Sequence, residues 1–249
     1  RGQRAAINLA GVHHDRFKRG HELASPGHLI PSRRLSVRLN LIESAPRKLK
    51  NRTRVRVHVG TAEIMARVVL LDRDEMAPGD WAPVQLLLAR AAVTTWNQPL
   101  VIRSESPVMT VGGGLVIAPD APRLPIRDEA TLARLDDLAG EDPIRRASAA
   151  IFFNGWQPWT PQDLVRTAGI DDPATVCREL VESGQLVEIA VSPTRTMRVH
   201  RDVLDGLSLR VAGVLETMHA ESPLRSMLDR SRLATRFRWL RDNSLIEIV

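Results

Sequence analysis

Tyrosine is absent from these 249 residues, and four Phe and five Trp supply all of the aromatic surface. One cysteine, Cys177, excludes an internal disulfide and cannot alone build a zinc cluster, which fits a reducing, cytoplasmic compartment. No apolar run approaches the roughly 20 residues that cross a bilayer, and no signal peptide opens the chain, so no membrane partner is expected. No Gly-x-x-x-x-Gly-Lys-Ser/Thr loop is present to cradle nucleotide phosphates, and no Gly-x-Ser-x-Gly elbow presents a serine nucleophile. His13 and His14 are adjacent but lack a third ligand and a carboxylate at metal spacing. The sequence therefore offers no catalytic residue, no cofactor site and no metal site, and the chain is not expected to be an enzyme by itself.

What is present is a chain of ordinary globular composition, 43% hydrophobic and 26% charged, with room for two or three small domains. Its charge is uneven. Residues 1–58 hold 14 Lys and Arg against 3 Asp and Glu, whereas residues 59–249 hold 21 against 26. The net +6 comes entirely from the first part, which points to a polyanion partner there, with a merely solvated basic face as the plain alternative.

Hydrophobic periodicity divides the chain in two. Leu35–Leu41 and Arg54–Val59 alternate with period two, Ile64–Leu71 and Pro83–Ala89 read as further strands, and Ala77-Pro-Gly-Asp80 reads as a turn. Pro46–Thr53 forms a basic loop, and Leu100–Arg103 and Leu115–Ile117 complete an antiparallel barrel over 31–120. Residues 1–30 read as the end of another barrel, with short strands at Arg4–Gly11 and after Arg19-Gly20. Pro119, Pro122 and Pro125 mark a linker. Beyond residue 127 the period becomes helical. Helices over Glu129–Leu138, Arg145–Phe153, a run capped by Thr160 with Pro161 and Asp163, and a run opened by Asp172-Pro173 and ended by Gly184 precede strands at Leu186–Val191 and Thr196–Val199. Helix, helix, helix, strand, strand is the order of a winged helix, assigned to 127–200. Residues 201–249 read as a second, short or truncated winged helix: a long helix to His219, a helix over Ser231–Arg241 and a strand at Leu245–Val249. The predicted fold class is mixed β and α, a barrel followed by winged helices.

The most informative stretch is Arg103-Ser-Glu-Ser-Pro-Val-Met-Thr-Val-Gly-Gly-Gly114, because glycines inside a strand pattern are kept where a backbone must bend or let another come close. Strand, turn, strand and then Arg…Thr-Val-Gly-Gly-Gly resembles the third domain of translational GTPases of the elongation factor Tu type. His58-Val-Gly-Thr61 with an uninterrupted Gly112-Gly113-Gly114 is similar to the selenocysteine-specific elongation factor in particular. Ala6–Gly11 and Arg19–Ala24 resemble the close of that family's second domain, and His219-Ala-Glu-Ser-Pro-Leu-Arg225 resembles a segment of its C-terminal winged helices, with Met218 where the family has Phe.

The resemblance implies a C-terminal fragment of a protein that carries selenocysteinyl-tRNA to the ribosome at recoded UGA codons. GTP and Mg would be bound by a G domain outside this sequence. The winged helices would reach toward an mRNA hairpin, or act as spacers. It also implies that Arg103 and Thr110 with Gly112, Gly113 and Gly114 lie against the T stem of the tRNA, the glycines letting backbone N–H groups approach phosphate. The plain alternative is that the glycines let the barrel close. Lys48, Lys50, Arg52, Arg33 and Arg34 are further candidate phosphate contacts, set against a solvated loop. Trp156 and Trp159 could stack on bases or close a small core, the second being the commoner use of such a pair. The competing function is a winged-helix DNA-binding transcription regulator. The presumed recognition helix over 173–183 carries Arg178 but also Glu179 and Glu182, which is unusually acidic for a major-groove reader.

Overall fold

Period-two alternation places one face of each N-terminal strand in a common core. Val55, Val57 and Val59 are buried while Arg54, Arg56 and His58 face outward, and Leu35, Val37, Leu39 and Leu41 are buried in the same way. In the computed structural model, which describes residues 6–192, 195–221, 230–240 and 245–248, eight strands come from this region. They are β1 (Ser32–Leu41), β2 (Leu49–Lys50), β3 (Arg54–Val59), β4 (Ala62–Leu70), β5 (Glu75–Met76), β6 (Trp81–Ala92), β7 (Pro99–Ser104) and β8 (Thr110–Ala118). Six of them close a barrel in the order β1-β6-β4-β3-β7-β8, with every neighbouring pair antiparallel. β2 and β5 pair separately, Leu49 opposite Met76 and Lys50 opposite Glu75, so the expected basic loop is in part a short ladder. The Ala77–Asp80 turn is present, with the Asp80 amide donating to the Ala77 carbonyl and the Asp80 carboxylate accepting from the Ala77 amide.

The glycine run lies inside β8, not in a loop. Gly112, Gly113 and Gly114 each stand between Leu41, Asn40 and Leu39 of β1 on one side and Ile102, Val101 and Leu100 of β7 on the other. None has a positive φ. What requires glycine is close approach. A Cβ on Gly114 would overlap the Arg38 carbonyl oxygen, one on Gly112 that of Asn40, and one on Gly113 would stand 2.8 Å from the Leu100 oxygen. β8 is the strand that closes the barrel, and only a strand without side chains at these positions fits the gap.

Residues 6–31 contain no strand. The expected strands at Arg4–Gly11 and after Gly20 are replaced by irregular chain with a 3-10 turn at His14–Arg16, whereas residues 1–5 lie outside the described residues. The physical reason is visible in burial: Ile7, Val12, Phe17 and Leu23 are exposed, so no partner sheet rewards an extended conformation here. The segment is held to the barrel by Arg19 and Gly20, which donate to the carbonyl and hydroxyl oxygens of Thr61.

After β8 come α1 (Glu129–Ala139), α2 (Pro143–Asn154), α3 (Asp163–Ala168), α4 (Pro173–Glu182), β9 (Leu186–Ser192), β10 (Arg195–His200), α5 (Arg201–Glu221), α6 (Arg230–Arg236) and α7 (Leu245–Ile248). Asp128, Asp142 and Asp172 cap α1, α2 and α4, and Pro143 and Pro173 fill first-turn positions whose N–H groups would have had no partner. α3 starts later than its sequence signal. The Asp163 amide donates back to the Thr160 carbonyl in a tight turn, so the Thr160 hydroxyl has no helical N–H to cap and donates to the Asp163 carboxylate instead. β9 and β10 form the wing hairpin. Leu245–Ile248 is helical, not a strand: Leu245 is buried in a cluster with Phe237, Leu240 and the wing residues Ile189 and Val199, a helical docking that overrides β-propensity. The Arg241 end of the expected sixth helix and Ser222–Arg225 of the family-like segment lie outside the described residues.

The proline-rich stretch after β8 is a docked strap. Gln85 of β6, itself buried, donates to the Pro122 carbonyl at 2.8 Å and accepts from the Leu124 amide at 3.2 Å, and Ala121 and Leu124 are buried. Trp96, just after β6, joins barrel to helices: its amide donates to the Arg166 carbonyl of α3, its indole N–H donates to the Leu138 carbonyl of α1, and the Arg146 guanidinium lies 4.6 Å over its ring. Gly169, in the left-handed conformation that ends α3, lies so close to this ring that any side chain there would collide with it.

Gly114→Ala is expected to destabilise the chain by about 3 kcal/mol, the upper range of overpacking, because the obstacle is backbone on a central strand. Gly213→Ala, at an open position inside α5, is expected to stabilise by ~0.5–1 kcal/mol. Denaturant melts of the two variants check this, and equal effects would refute the closure argument.

Candidate nucleic-acid interface

The outer face of the barrel gathers arginines by register alone. Directly opposed residues of an antiparallel pair share a face, so Arg34 of β1, Leu87 of β6, Arg67 of β4 and Arg54 of β3 form one row, each opposite the next. Two residues along β3, Arg56 is opposite Met65 on one side and Arg103 on the other, and Arg103 is opposite Thr110. His58 follows, opposite Glu63 and Val101. Five guanidinium groups thus occupy two adjacent rows, about 7 Å apart at two residues of rise along a strand.

Acidic neighbours neutralise part of this surface. Arg56 meets Glu63 at 2.7 Å and Arg54 meets Glu105 at 3.1 Å. The Glu63 carboxyl is held below its usual range, chiefly by its hydrogen bond from Arg56. Arg34, Arg67 and Arg103 have no carboxylate partner among the described residues. The Nε atoms of Arg34, Arg56 and Arg103 and Nε2 of His58 are covered yet make no hydrogen bond among those residues. These covered atoms cannot themselves reach an external acceptor; what Arg34, Arg67 and Arg103 offer outward is a positive charge with no carboxylate partner among the described residues.

The sequence-predicted residues separate on this geometry. Arg103 and Thr110 come together, and Arg34 joins them through the row that also contains Arg67, which sequence reading passed over. Arg54 and Arg56 were seen only as an alternating pattern; cross-strand register, which no single strand reveals, is what makes the group. Gly112, Gly113 and Gly114 are not phosphate donors through their amides: both edges of β8 are paired, which commits those N–H groups to the ladder. Lys48 is in contact with Glu75 at 2.5 Å, and its ammonium is held above the usual range by that bond. Lys50 lies across from the same Glu75, so these two lysines face a carboxylate. Arg52 is exposed at a positive-φ turn, two residues before Arg54, and Arg33 is exposed on β1.

The buried His200 raises the question of acid–base chemistry. Its Nε2 lies 2.9 Å from the Ser148 hydroxyl, which donates to Gln185, and its Nδ1 accepts from the Asp202 amide. Burial, reinforced by the nearby Arg134, lowers its pKa to about 4. Ser148 is buried and already committed as a donor, so the pair is a structural network between α2 and the end of the wing and not a nucleophile with its base. Cys177 is buried and its thiol is pushed up by burial, the opposite of a reactive thiolate. No group of three potential metal ligands occurs among the described residues.

Comparison with known proteins agrees with this architecture. Residues 33–123 match the family model "Selenocysteine-specific elongation factor, beta-barrel domain". The chain is 31% identical over 238 residues to the selenocysteine-specific elongation factor of Desulfomicrobium baculatum, an alignment covering 95% of this chain and 37% of that protein. It is 29% identical over 119 residues to elongation factor Tu 2 of Streptomyces avermitilis, covering 46% of this chain and 30% of that one. A crystal structure of a bacterial selenocysteine-specific elongation factor superposes on 94% of this chain with a TM-score of 0.60 at 17% identity, the chain spanning 34% of that protein. The chain thus spans about a third of the length of the selenocysteine-specific factors it matches.

His200 supplies a pH prediction. Unfolded, it titrates near 6.5; folded, near 4, so above pH 6.5 neither state binds the proton and the fold has its full stability. As pH falls from 6.5 toward 4 the unfolded state takes the proton first and stability drops, by about 3 kcal/mol across the window. Chemical denaturation of parent and His200→Gln at several pH values should show a difference confined to this range. Parallel profiles would refute it.

Proposed function

We propose that this chain, a relative of the selenocysteine-specific elongation factors, supplies the tRNA-contacting barrel and winged-helix portion of such a factor. The kinship supports a translation elongation factor role. The delivery of selenocysteinyl-tRNA to the ribosome at recoded UGA codons is the activity proposed for the whole protein, in the cytoplasm. The observation that carries the reading is the double row of arginines on a barrel of this family, three of them without a carboxylate partner among the described residues. Phosphate oxygens are the acceptors such a surface fits: they are anionic, regularly spaced, and reached by long side chains from a rigid sheet.

The units proposed are a barrel over 31–120, a winged helix over 127–200 and a further, reduced winged-helix unit over 201–249, with residues 6–31 an irregular segment tied to the barrel at Thr61. No phosphate loop exists in these 249 residues, so GTP and Mg would be held outside them and no step of GTP hydrolysis is assigned to this chain. Within the barrel, Arg103 with Thr110 and Arg34 are the proposed phosphate contacts, joined by Arg67, with Arg33 and Arg52 at the margin. The glycines shape the surface. The winged helices are proposed to stand between this surface and the mRNA hairpin. A DNA-regulator role is disfavoured by α4, where Glu179 and Glu182 are exposed beside Arg178.

Binding of tRNA to this chain should be salt-sensitive, and Arg67→Ala with Arg103→Ala should weaken all tRNAs alike and reduce the slope of log K against log salt by roughly one unit per lost contact. Lys48→Ala should change little, because Lys48 is matched by Glu75. Filter binding at a series of salt concentrations measures both. Unchanged binding in the double variant would remove the barrel face as the tRNA surface.

A further inference from the structure

Residues 230–241 depart from the acidic average of the helical part: they hold five arginines and no Asp or Glu. Leu233, Phe237 and Leu240 recur at helical spacing and share one cluster with Leu207 and Val211 of α5 and the wing residues Ile189 and Val199. That docking turns Arg232, Arg236, Arg238 and Trp239 outward, and all four are exposed. Arg232 and Arg236 are four residues apart on α6, so they lie on one side of it, about 6 Å apart along its axis. α5 adds a further cation, the Arg210 guanidinium, 5.3 Å over the Trp239 ring. Buried Phe237 lies 6.2 Å from the same ring, which is thus anchored although Trp239 is 49% exposed. Among the described residues one carboxylate meets this group: Glu221 stands 4.0 Å from Arg236, a long pair between exposed side chains that contributes little. Arg210, Arg232 and Arg238 have no carboxylate partner among the described residues.

Four guanidinium groups around one exposed tryptophan discriminate among partners. A lipid surface needs a broad apolar face, but here that face is buried in the core and Trp239 stands alone outside it. An acidic peptide would match the arginines and leave the ring idle. Single-stranded RNA uses both: its phosphates meet guanidinium groups, and an unpaired base stacks on an aromatic face. We infer that Arg210, Arg232, Arg236, Arg238 and Trp239 form a second RNA surface, which holds a single-stranded stretch by its backbone and one stacked base. Stacking and phosphate contact do not distinguish bases, so this surface tolerates sequence, unlike a site that reads one hairpin. The inference rests on the proposed action of the chain on RNA. It adds a surface built from other elements than the arginine rows of the barrel.

The test uses the full chain and a fluorescein-labelled oligouridine of about ten nucleotides, with anisotropy read at a series of salt concentrations. Trp239→Ala should weaken binding roughly tenfold, and Trp239→Phe, which keeps a stacking face, should recover most of the loss. Arg232→Gln with Arg238→Gln should lower the slope of log K against log salt by about 1.4, since each phosphate contact on a single strand contributes ~0.7. Both side chains are exposed, so this variant decides the matter should Trp239→Ala fail to fold. Oligocytidine should bind as oligouridine does. Unchanged oligouridine binding in both variants, tighter binding of polyglutamate of equal charge than of oligouridine, or binding to anionic vesicles with none to RNA overturns the inference. Arg67→Ala with Arg103→Ala, measured in parallel on tRNA, reports on the barrel face. Loss of tRNA binding there with oligouridine binding indifferent to Trp239, Arg232 and Arg238 refutes the second surface alone. Oligouridine binding that depends on Trp239, with tRNA binding indifferent to Arg67 and Arg103, refutes the barrel reading alone.

Discussion

Closure of the barrel by β8 is the constraint on which the rest depends. A six-strand antiparallel barrel has no edge only if its last strand reaches both the first strand and its own hairpin partner. Here that strand passes so near the β1 carbonyls that a methyl group would overlap them at Gly112 and Gly114. The entropy lost by ordering three consecutive glycines is offset by pairing along both edges. The same closure sets the register that brings Arg103 opposite Arg56 and, through β4 and β6, places Arg34, Arg67 and Arg54 in one row. The glycines thus act on the basic surface by fixing where its arginines stand.

The second dependency runs from barrel to helices. Trp96, Gln85 and Leu124 each belong to the barrel or its strap, and each meets a partner beyond its own hairpin. Trp96 donates to α1 and α3, Gln85 clamps the strap, and Leu124 packs with Leu71, Ile117 and Leu135. A proline-rich segment reads as a flexible boundary when its carbonyls have no visible partner. Once a buried glutamine supplies both a donor and an acceptor, the same prolines stiffen a docked connection.

Legibility followed the range of the interactions. The barrel strands, the Asp-capped helices and the wing hairpin were readable because alternation and caps are local. Where β-propensity had to be confirmed by a partner, reading failed: Ile7 to Leu23 found none, and Leu245 found a helical docking site instead of a sheet. The arginine face was half legible. Arg103 and Thr110 stood out beside the glycines and Arg34 was among the candidates. Arg67 was invisible because its neighbours Arg54 and Leu87 are distant in sequence and adjacent only through register. The role given to the glycine amides failed for a related reason, since a strand paired on both edges cannot be told from a loop by composition.

Charge then divides the labour within the chain. The barrel carries unmatched arginines on a rigid outer face, a surface suited to phosphate and indifferent to sequence. The helical part is acidic on average, and several of its arginines lie against carboxylates, as with Arg166 beside Asp120 and Asp163, Arg145 with Asp137 and Arg198 with Glu188. A surface of that kind gains little from a polyanion through long-range attraction.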